Sequence, residues 1–406
     1  MISLQEAQTI VLAHCQPLLP VELALDDANG CLTAVAIFAD GDVPPFANSS
    51  MDGFAVRAAD TAKAPLELKV VGSIAAGEPA TGKVGKGQAI RIMTGAPMPN
   101  GADAVVMLED TSVAPGGGDD AVLIKTSVET GTAVRPAGGD LKNGEMVFPA
   151  GTELTPAHLG VLASIGMTEV PVYPRPTVGV LSTGRELVDG DTQLEPGQIH
   201  DSNRHALLAL VRQYGLTAID LGLVGDDEAA VTEAVKAAVG TCDVILTSGG
   251  VSVGDHDHVK GVLEKLGAGT GRSLQVAIRP AKPLAFGVVS GKPVFGLPGN
   301  PVSALVSFEL FVFPGLRQIM GHEFVHRKPV RAIADEALTR TADGRLHLMR
   351  VVAGYRDDGR FHVRSAGPQG SHQLKAMAEA NALAMIPDGD GVEAGADVDV
   401  LLLSYR

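Results

Sequence analysis

Residues 247–258 read TSGGVSVGDHDH, with Gly249 and Gly250 side by side and then Asp255, His256, Asp257 and His258 alternating acid with imidazole. Adjacent glycines permit backbone conformations in which successive N–H groups converge, and such nests bind anions. A second run, GLPGNPVSALVSF at 296–308, passes through Pro298, Gly299 and Asn300 into an expected helix N-terminus, whose free amides and dipole attract negative charge. A third, STGRELVDG at 182–190, carries Glu186. Any one of these runs is explained as well by a tight turn. Three of them at one sheet edge favour an anion site.

Cations and acids accompany the turns. In RPAKP (279–283) prolines hold Arg279 and Lys282 in an extended, non-helical stretch, which suits a phosphate or an oxyanion. Glu186, Asp226, Asp227 and Asp257 each follow an expected strand. Carboxylates at strand ends can converge on a hard cation such as Mg²⁺. Each alone is explained more simply as a helix N-cap or a solvated loop acid, and Asp227 reads as a cap. His256 and His258 lack a third nitrogen or sulfur ligand nearby, whereas zinc takes four partners, so Asp257 is the more useful residue of the pair-wise run. In the N-terminal half, NSSMDGFAVR (48–57) and RIMTGAPMPNGADAVVMLED (91–110) offer Asp52 and Thr94 to a ligand.

The elements that must position these residues follow from periodicity. From Thr177 onward short apolar runs (TVGVLST, AIDLGLVG, CDVILTS, PLAFGVV, PVFGLP) alternate with amphipathic helices, one of them starting near Ser202. That alternation predicts a doubly wound, mostly parallel α/β sheet, with ligands expected beyond the carboxyl ends of its strands. Residues 1–40 read as a helix, with a capping box at Ser3 and Glu6, followed by a strand CLTAVAIFA, and 141–172 hold a helix capped by Thr155 with Pro156 at its first position. Residues 41–140 read as mostly strands, 173–320 as the α/β domain and 321–406 as a small, mostly-β C-terminal domain.

Composition narrows the function. A net charge of −15, no tryptophan and 4% aromatic residues disfavour nucleic acid as a partner. No stretch approaches the ~20 uncharged apolar residues of a membrane span, and the start lacks a basic leader, so no membrane association is expected. Cys15, Cys31 and Cys242 are far apart and form no CxxC, which fits a reducing cytoplasm. The chain contains no GxxxxGK[ST], and no GxGxxG opens the α/β region, which excludes the common nucleotide-binding loops.

Taken in order, NSSMDGFAVR, RIMTGAPMPNGADAVVMLED, VRPAGGDLKNG, LSTGREL, TSGGVSVG and GLPGNPVSALVSFE resemble the molybdenum insertases. These are the molybdopterin molybdenumtransferases of the MoeA type and the C-terminal domain of gephyrin, and the resemblance covers essentially the whole chain. It implies four domains: an N-terminal linker domain of 1–40 with 141–172, an inserted mostly-β domain at 41–140, a molybdopterin-binding type of α/β domain at 173–320 and a small, β-barrel-like C-terminal domain at 321–406. It also implies an elongated cytoplasmic homodimer, with a cleft between the α/β domain of one subunit and the Asp52-bearing domain of the other. The implied reaction converts adenylylated molybdopterin and molybdate into molybdenum cofactor, releasing AMP, with Mg²⁺. On matching positions, Asp257, Glu186, Asp226 and Asp140 become the acidic or metal-binding set. Asp52 and Thr94 reach across the dimer, and with Asp257 and Lys282 make the catalytic group. Arg279, Lys282, Ser303, Arg350 and Ser371 become the oxyanion pocket, and Gly249, Gly250, Pro298 and Asn300 the substrate-binding turns. A molybdopterin adenylyltransferase is a further possible partner; being such an enzyme, or a gephyrin-like scaffold for a peptide, are the alternative readings. The chain departs from the family at Arg279, where Lys is common, at Arg185, where an acid is common, and at His258, where an aromatic is common.

Overall fold

The computed structural model describes residues 1–114, 120–225, 227–251 and 258–403. The chain forms two compact units, one of Met1–Val21 with Tyr173–Arg406 and the other of Glu22–Val172.

In the first unit, Thr177–Thr183 and Val244–Ser248 are almost wholly buried apolar strands, as a sheet covered on both faces requires. Among the described residues the sheet runs in the order Thr217–Val224, Thr177–Thr183, Val244–Ser248, Lys292–Leu297, Pro283–Val289, Arg272–Gln275. Its first four strands are parallel and the last two join antiparallel. Register places Ser182, Ser248 and Leu297 side by side, so the three glycine-bearing turns leave the same edge.

Helices Asn203–Gln213, Glu228–Ala238 and His258–Leu266 connect these strands. Asp227 caps the second, its carboxylate accepting from the Ala230 N–H at 2.9 Å. The segment Pro301–Ile319 is long and apolar enough to cross a membrane by length and composition alone, but it is largely buried here as the core helix. The N-terminal helix Leu4–Leu12, started by the Ser3–Glu6 capping box, is tied to it by Gln8 Nε2 on the Leu310 carbonyl (3.0 Å) and Gln318 Nε2 on that of Leu12 (2.7 Å).

Five strands after Val330 close into a barrel among the described residues. Leu346–Tyr355 pairs with Phe361–Ser365, then Val330–Ala334, Asp397–Leu402 and Ala382–Ile386 follow, and the last pairs back to the first. Closure leaves no free edge, and small residues such as Ala332, Ala334, Ala353 and Ala384 let the interior fill at this radius. Ile278–Arg279 adds parallel to the start of Leu346–Tyr355, carrying Arg279 alongside His347.

The second unit is built on a sheet ordered Ala104–Met107, Gly53–Val56, Gln88–Ile92, Leu66–Ile74, Ala121–Ile124, Thr111–Val113 among the described residues. The helix Pro156–Ser164 follows Thr155, whose hydroxyl bonds His158 Nδ1 at 2.6 Å. CLTAVAIFA is not one strand. It forms Leu32–Thr33 and Ile37–Phe38, because the Ala34 N–H is taken by the Pro171 carbonyl (2.9 Å), whereas Ile37 pairs with Phe148 of another ribbon.

Candidate active site

The turns beyond the strand ends touch one another. The Gly249 N–H donates to the Leu297 carbonyl at 3.1 Å. Gly249 holds φ +92°, and a Cβ there would lie 2.2 Å from the Thr183 carbonyl oxygen, so both conformation and space demand glycine. Gly250 holds φ +65°, with Val259 against it. A Cβ on Gly299 would sit 3.8 Å from the Gly249 Cα. Asn300 is the N-cap of Pro301–Ser307 and makes no side-chain capping bond, and Pro298 precedes it at the buried strand end. The four turn residues expected from sequence therefore lie at one place.

Two residues with no role assigned from sequence organise this edge. Asn203, 7% exposed, donates its amide to Ser248 Oγ (2.7 Å) and to the Gly299 carbonyl (2.8 Å). Arg204, 2% exposed, pairs with Asp201 at 3.0 Å, Asp220 at 2.5 Å and Asp189 at 2.6 Å, and Asp201 also accepts from Ser182 Oγ at 3.1 Å. The only local signal was a polar Asp-Ser-Asn-Arg run where an amphipathic helix begins. Its partners lie up to 96 residues away.

The expected oxyanion residues gather where the barrel meets the helix Pro301–Ser307. Arg350 is fully buried on the strand Leu346–Tyr355, and its Nη2 donates to the Pro368 carbonyl (2.8 Å) and the Gly370 carbonyl (3.2 Å). Its Nε and Nη1 are buried without a hydrogen-bond partner among the described residues. Burial pushes its pKa down from the usual arginine value, yet guanidinium titrates so high that the side chain keeps its charge. Gln369 clamps the same residue through its backbone, accepting from the Arg350 N–H (2.8 Å) and donating to its carbonyl (3.0 Å). The Ser371 carbonyl accepts the Val302 N–H at 3.1 Å, which sets Ser371 beside buried Ser303.

Arg279 lines a cavity of about 350 Å³ with His347, Gln369 and Gly370 and stands 3.7 Å from the Asp343 carboxylate. Ala281 beyond it holds φ +73°, a conformation costly for a residue with a Cβ and concentrated at ligand clamps. Half-buried Lys282 follows, its carbonyl accepting from the Val276 N–H at 2.8 Å.

The acidic set is not assembled in the same way. Glu186 is exposed and folds back over Gly184, where a Cβ would lie 2.8 Å from its Oε2. Asp226 and Asp257 lie outside the described residues. Exposed Asp140 belongs to the unit Glu22–Val172, together with Asp52 and Thr94. Among the described residues no three His, Cys, Asp or Glu side chains converge to hold a metal ion. The described acids therefore do not by themselves make a Mg²⁺ site.

Asp52 and Thr94 do meet. Gly53 pairs with Ile92, and the turn after Ile92 brings Thr94 back to Asp52, whose Oδ1 accepts the Thr94 N–H at 2.7 Å and its hydroxyl at 2.8 Å. These two bonds, backbone first, hold the Asp52 carboxyl below the usual carboxylate range. The three cysteines are buried, and burial lifts the Cys15 thiol to about 12, so none is an exposed nucleophile. The first unit offers anion binding by turns and cations, and the second offers one ionised carboxylate held by Thr94.

Comparison with known proteins agrees along the whole chain. Residues 2–166 match the MoeA N-terminal region (domains I and II), 179–318 a probable molybdopterin-binding domain, and 331–403 the MoeA C-terminal region (domain IV). A molybdopterin molybdenumtransferase of Haemophilus influenzae is 38% identical over 403 residues, covering 98% of each chain. A molybdopterin molybdenumtransferase 2 of Mycobacterium tuberculosis is 39% identical over 404 residues, again covering 98% of each. A crystal structure of a molybdopterin biosynthesis MoeA protein from Pyrococcus horikoshii superposes with a TM-score of 0.82 at 32% identity, covering 100% of both chains.

Proposed function

The chain belongs to the molybdopterin molybdenumtransferase family, and from that premise we propose that this transferase of molybdenum cofactor biosynthesis inserts molybdenum from molybdate into adenylylated molybdopterin, cleaving the phosphoanhydride and releasing AMP. One observation carries the oxyanion part of the reading. Arg350 is a fully buried guanidinium with two donor nitrogens unpaired among the described residues. A buried cation of this kind is costly unless something negative completes it. Molybdate, a tetrahedral dianion, supplies acceptor oxygens that Ser303, Ser371, Arg279 and Lys282 share. Tungstate has the same charge and shape and fits the same donors.

In this reading Gly249, Gly250, Pro298 and Asn300 hold the phosphate-bearing half of the substrate, and the phosphoanhydride breaks by positioning and charge neutralisation. Asp52, kept ionised by Thr94, and Asp257 are the carboxylates of the reaction. A homodimer in which the Asp52-bearing unit of one subunit serves the α/β unit of another, a cytoplasmic location, a partner adenylyltransferase, and Mg²⁺ on Glu186, Asp226, Asp257 and Asp140 complete the proposal. The four-part division at 40, 140, 172 and 320 belongs to the same reading.

The test is AMP release from purified protein given adenylylated molybdopterin, with and without molybdate. Release that requires molybdate and yields a metal-loaded pterin supports the reading. A folded protein that binds the substrate but releases no AMP overturns it.

A further inference from the structure

Asn203 starts the helix that follows the first of the three turn-bearing strands, and it belongs to none of the anion-binding turns. Its single amide group nonetheless grips two of them, through Ser248 Oγ at 2.7 Å and the Gly299 carbonyl at 2.8 Å. Both contacts act on groups adjacent to the candidate anion donors. A trans peptide is planar with its carbonyl and N–H opposed. Anchoring the Gly299 carbonyl on Asn203 therefore also fixes the Asn300 N–H, which points away from Asn203. That N–H matters because Pro301 has none to offer and the Val302 N–H is already spent on the Ser371 carbonyl at 3.1 Å. At Ser248, accepting from Asn203 leaves the hydroxyl proton to be donated elsewhere. Asn203 is itself held in place, since the neighbouring Arg204 is fixed by Asp201, Asp220 and Asp189.

We propose that Asn203 is a positioning residue for substrate binding: it orients the Gly299–Asn300 peptide and the Ser248 hydroxyl so that the two turns grip one phosphate group together. This deepens the proposed function and rests on it for the identity of the phosphate. A positioning role predicts lost affinity rather than lost chemistry, because the groups Asn203 holds, the Ser248 hydroxyl and the Gly299–Asn300 peptide, are assigned to binding.

The experiment compares wild type with Asn203→Leu, which has the same branched heavy-atom shape without donors, and with Asn203→Ser, which suits a helix start and secures folding. Calorimetric titrations use AMP and inorganic pyrophosphate as separate probes, and AMP release gives KM and kcat. Both variants are expected to bind both probes about ten-fold more weakly, the loss of one hydrogen bond serving a charged group. KM is expected to rise by about the same factor while kcat stays within roughly two-fold of wild type. A folded variant that binds both probes like wild type overturns the inference, as does a fall in kcat at unchanged KM. Wild type that binds pyrophosphate but not AMP overturns the nucleotide part of the proposed function, and the pyrophosphate titrations then decide on Asn203 alone. Wild type that binds neither probe overturns both.

Discussion

Arg204 at the sheet edge and Arg350 on a barrel strand are both almost completely buried, at 2% and 0% exposure, yet their surroundings differ. Arg204 faces the carboxylates of Asp201, Asp220 and Asp189, whereas Arg350 meets only backbone carbonyls at one nitrogen and has two nitrogens unpaired among the described residues. The first cation is neutralised inside the fold and holds loops together. The second leaves its charge for a ligand. A compensated buried charge marks structure, and an uncompensated one marks a site.

The largest effect should come from breaking the compensated cluster. Arg204→Met strands the buried Asp201 carboxylate and should cost about 3–5 kcal/mol, read from the urea midpoint. Arg350→Met does the reverse. Stability should hold or rise slightly, because an unpaired buried charge is removed, while molybdate-dependent AMP release falls about 100-fold or more. A large loss of stability in Arg350→Met would erase the contrast.

Thr94→Val sharpens the comparison with a third, exposed charge. Removing the hydroxyl donor to Asp52 should move its depressed pKa back toward the ordinary carboxylate value, so the acid limb of the AMP-release profile shifts to higher pH. Activity at neutral pH should fall about ten-fold or less.

The smallest effect belongs to the barrel surface, where His362 contacts Asp335 at 2.6 Å and Asp358 at 3.0 Å and its pKa is raised, Asp358 being the larger cause. A group whose folded pKa is raised adds stability at low pH that is lost as pH climbs through the raised value. Thermal stability should therefore decline slightly as pH climbs above the ordinary histidine value of about 6.5, and His362→Gln should flatten that slope.

Much of the architecture was legible because it is local. Ser3 with Glu6, Thr155 before Pro156, and Asp227 cap helices through bonds that span three residues, so composition at one point decides them. Apolar runs such as TVGVLST announced buried parallel strands for the same reason. CLTAVAIFA misled because it is apolar enough for a strand, yet Ala34 and Ile37 find partners in different ribbons, at Pro171 and Phe148, more than a hundred residues on. Within the candidate site, Gly249 was readable from its type. Asn203 was not, because an asparagine at a helix start ordinarily signals a cap.

The sequence by itself determined the order of elements, the glycine turns at the strand ends and the supply of cations and acids. Their chemistry depends on neighbours in the chain and on residue type. Only the tertiary structure decided that Arg204 is neutralised and Arg350 is not, and that one amide of Asn203 spans two turns. Those outcomes depend on which distant groups share a low-dielectric interior, where an unpaired charge or donor is far more costly than it is in water.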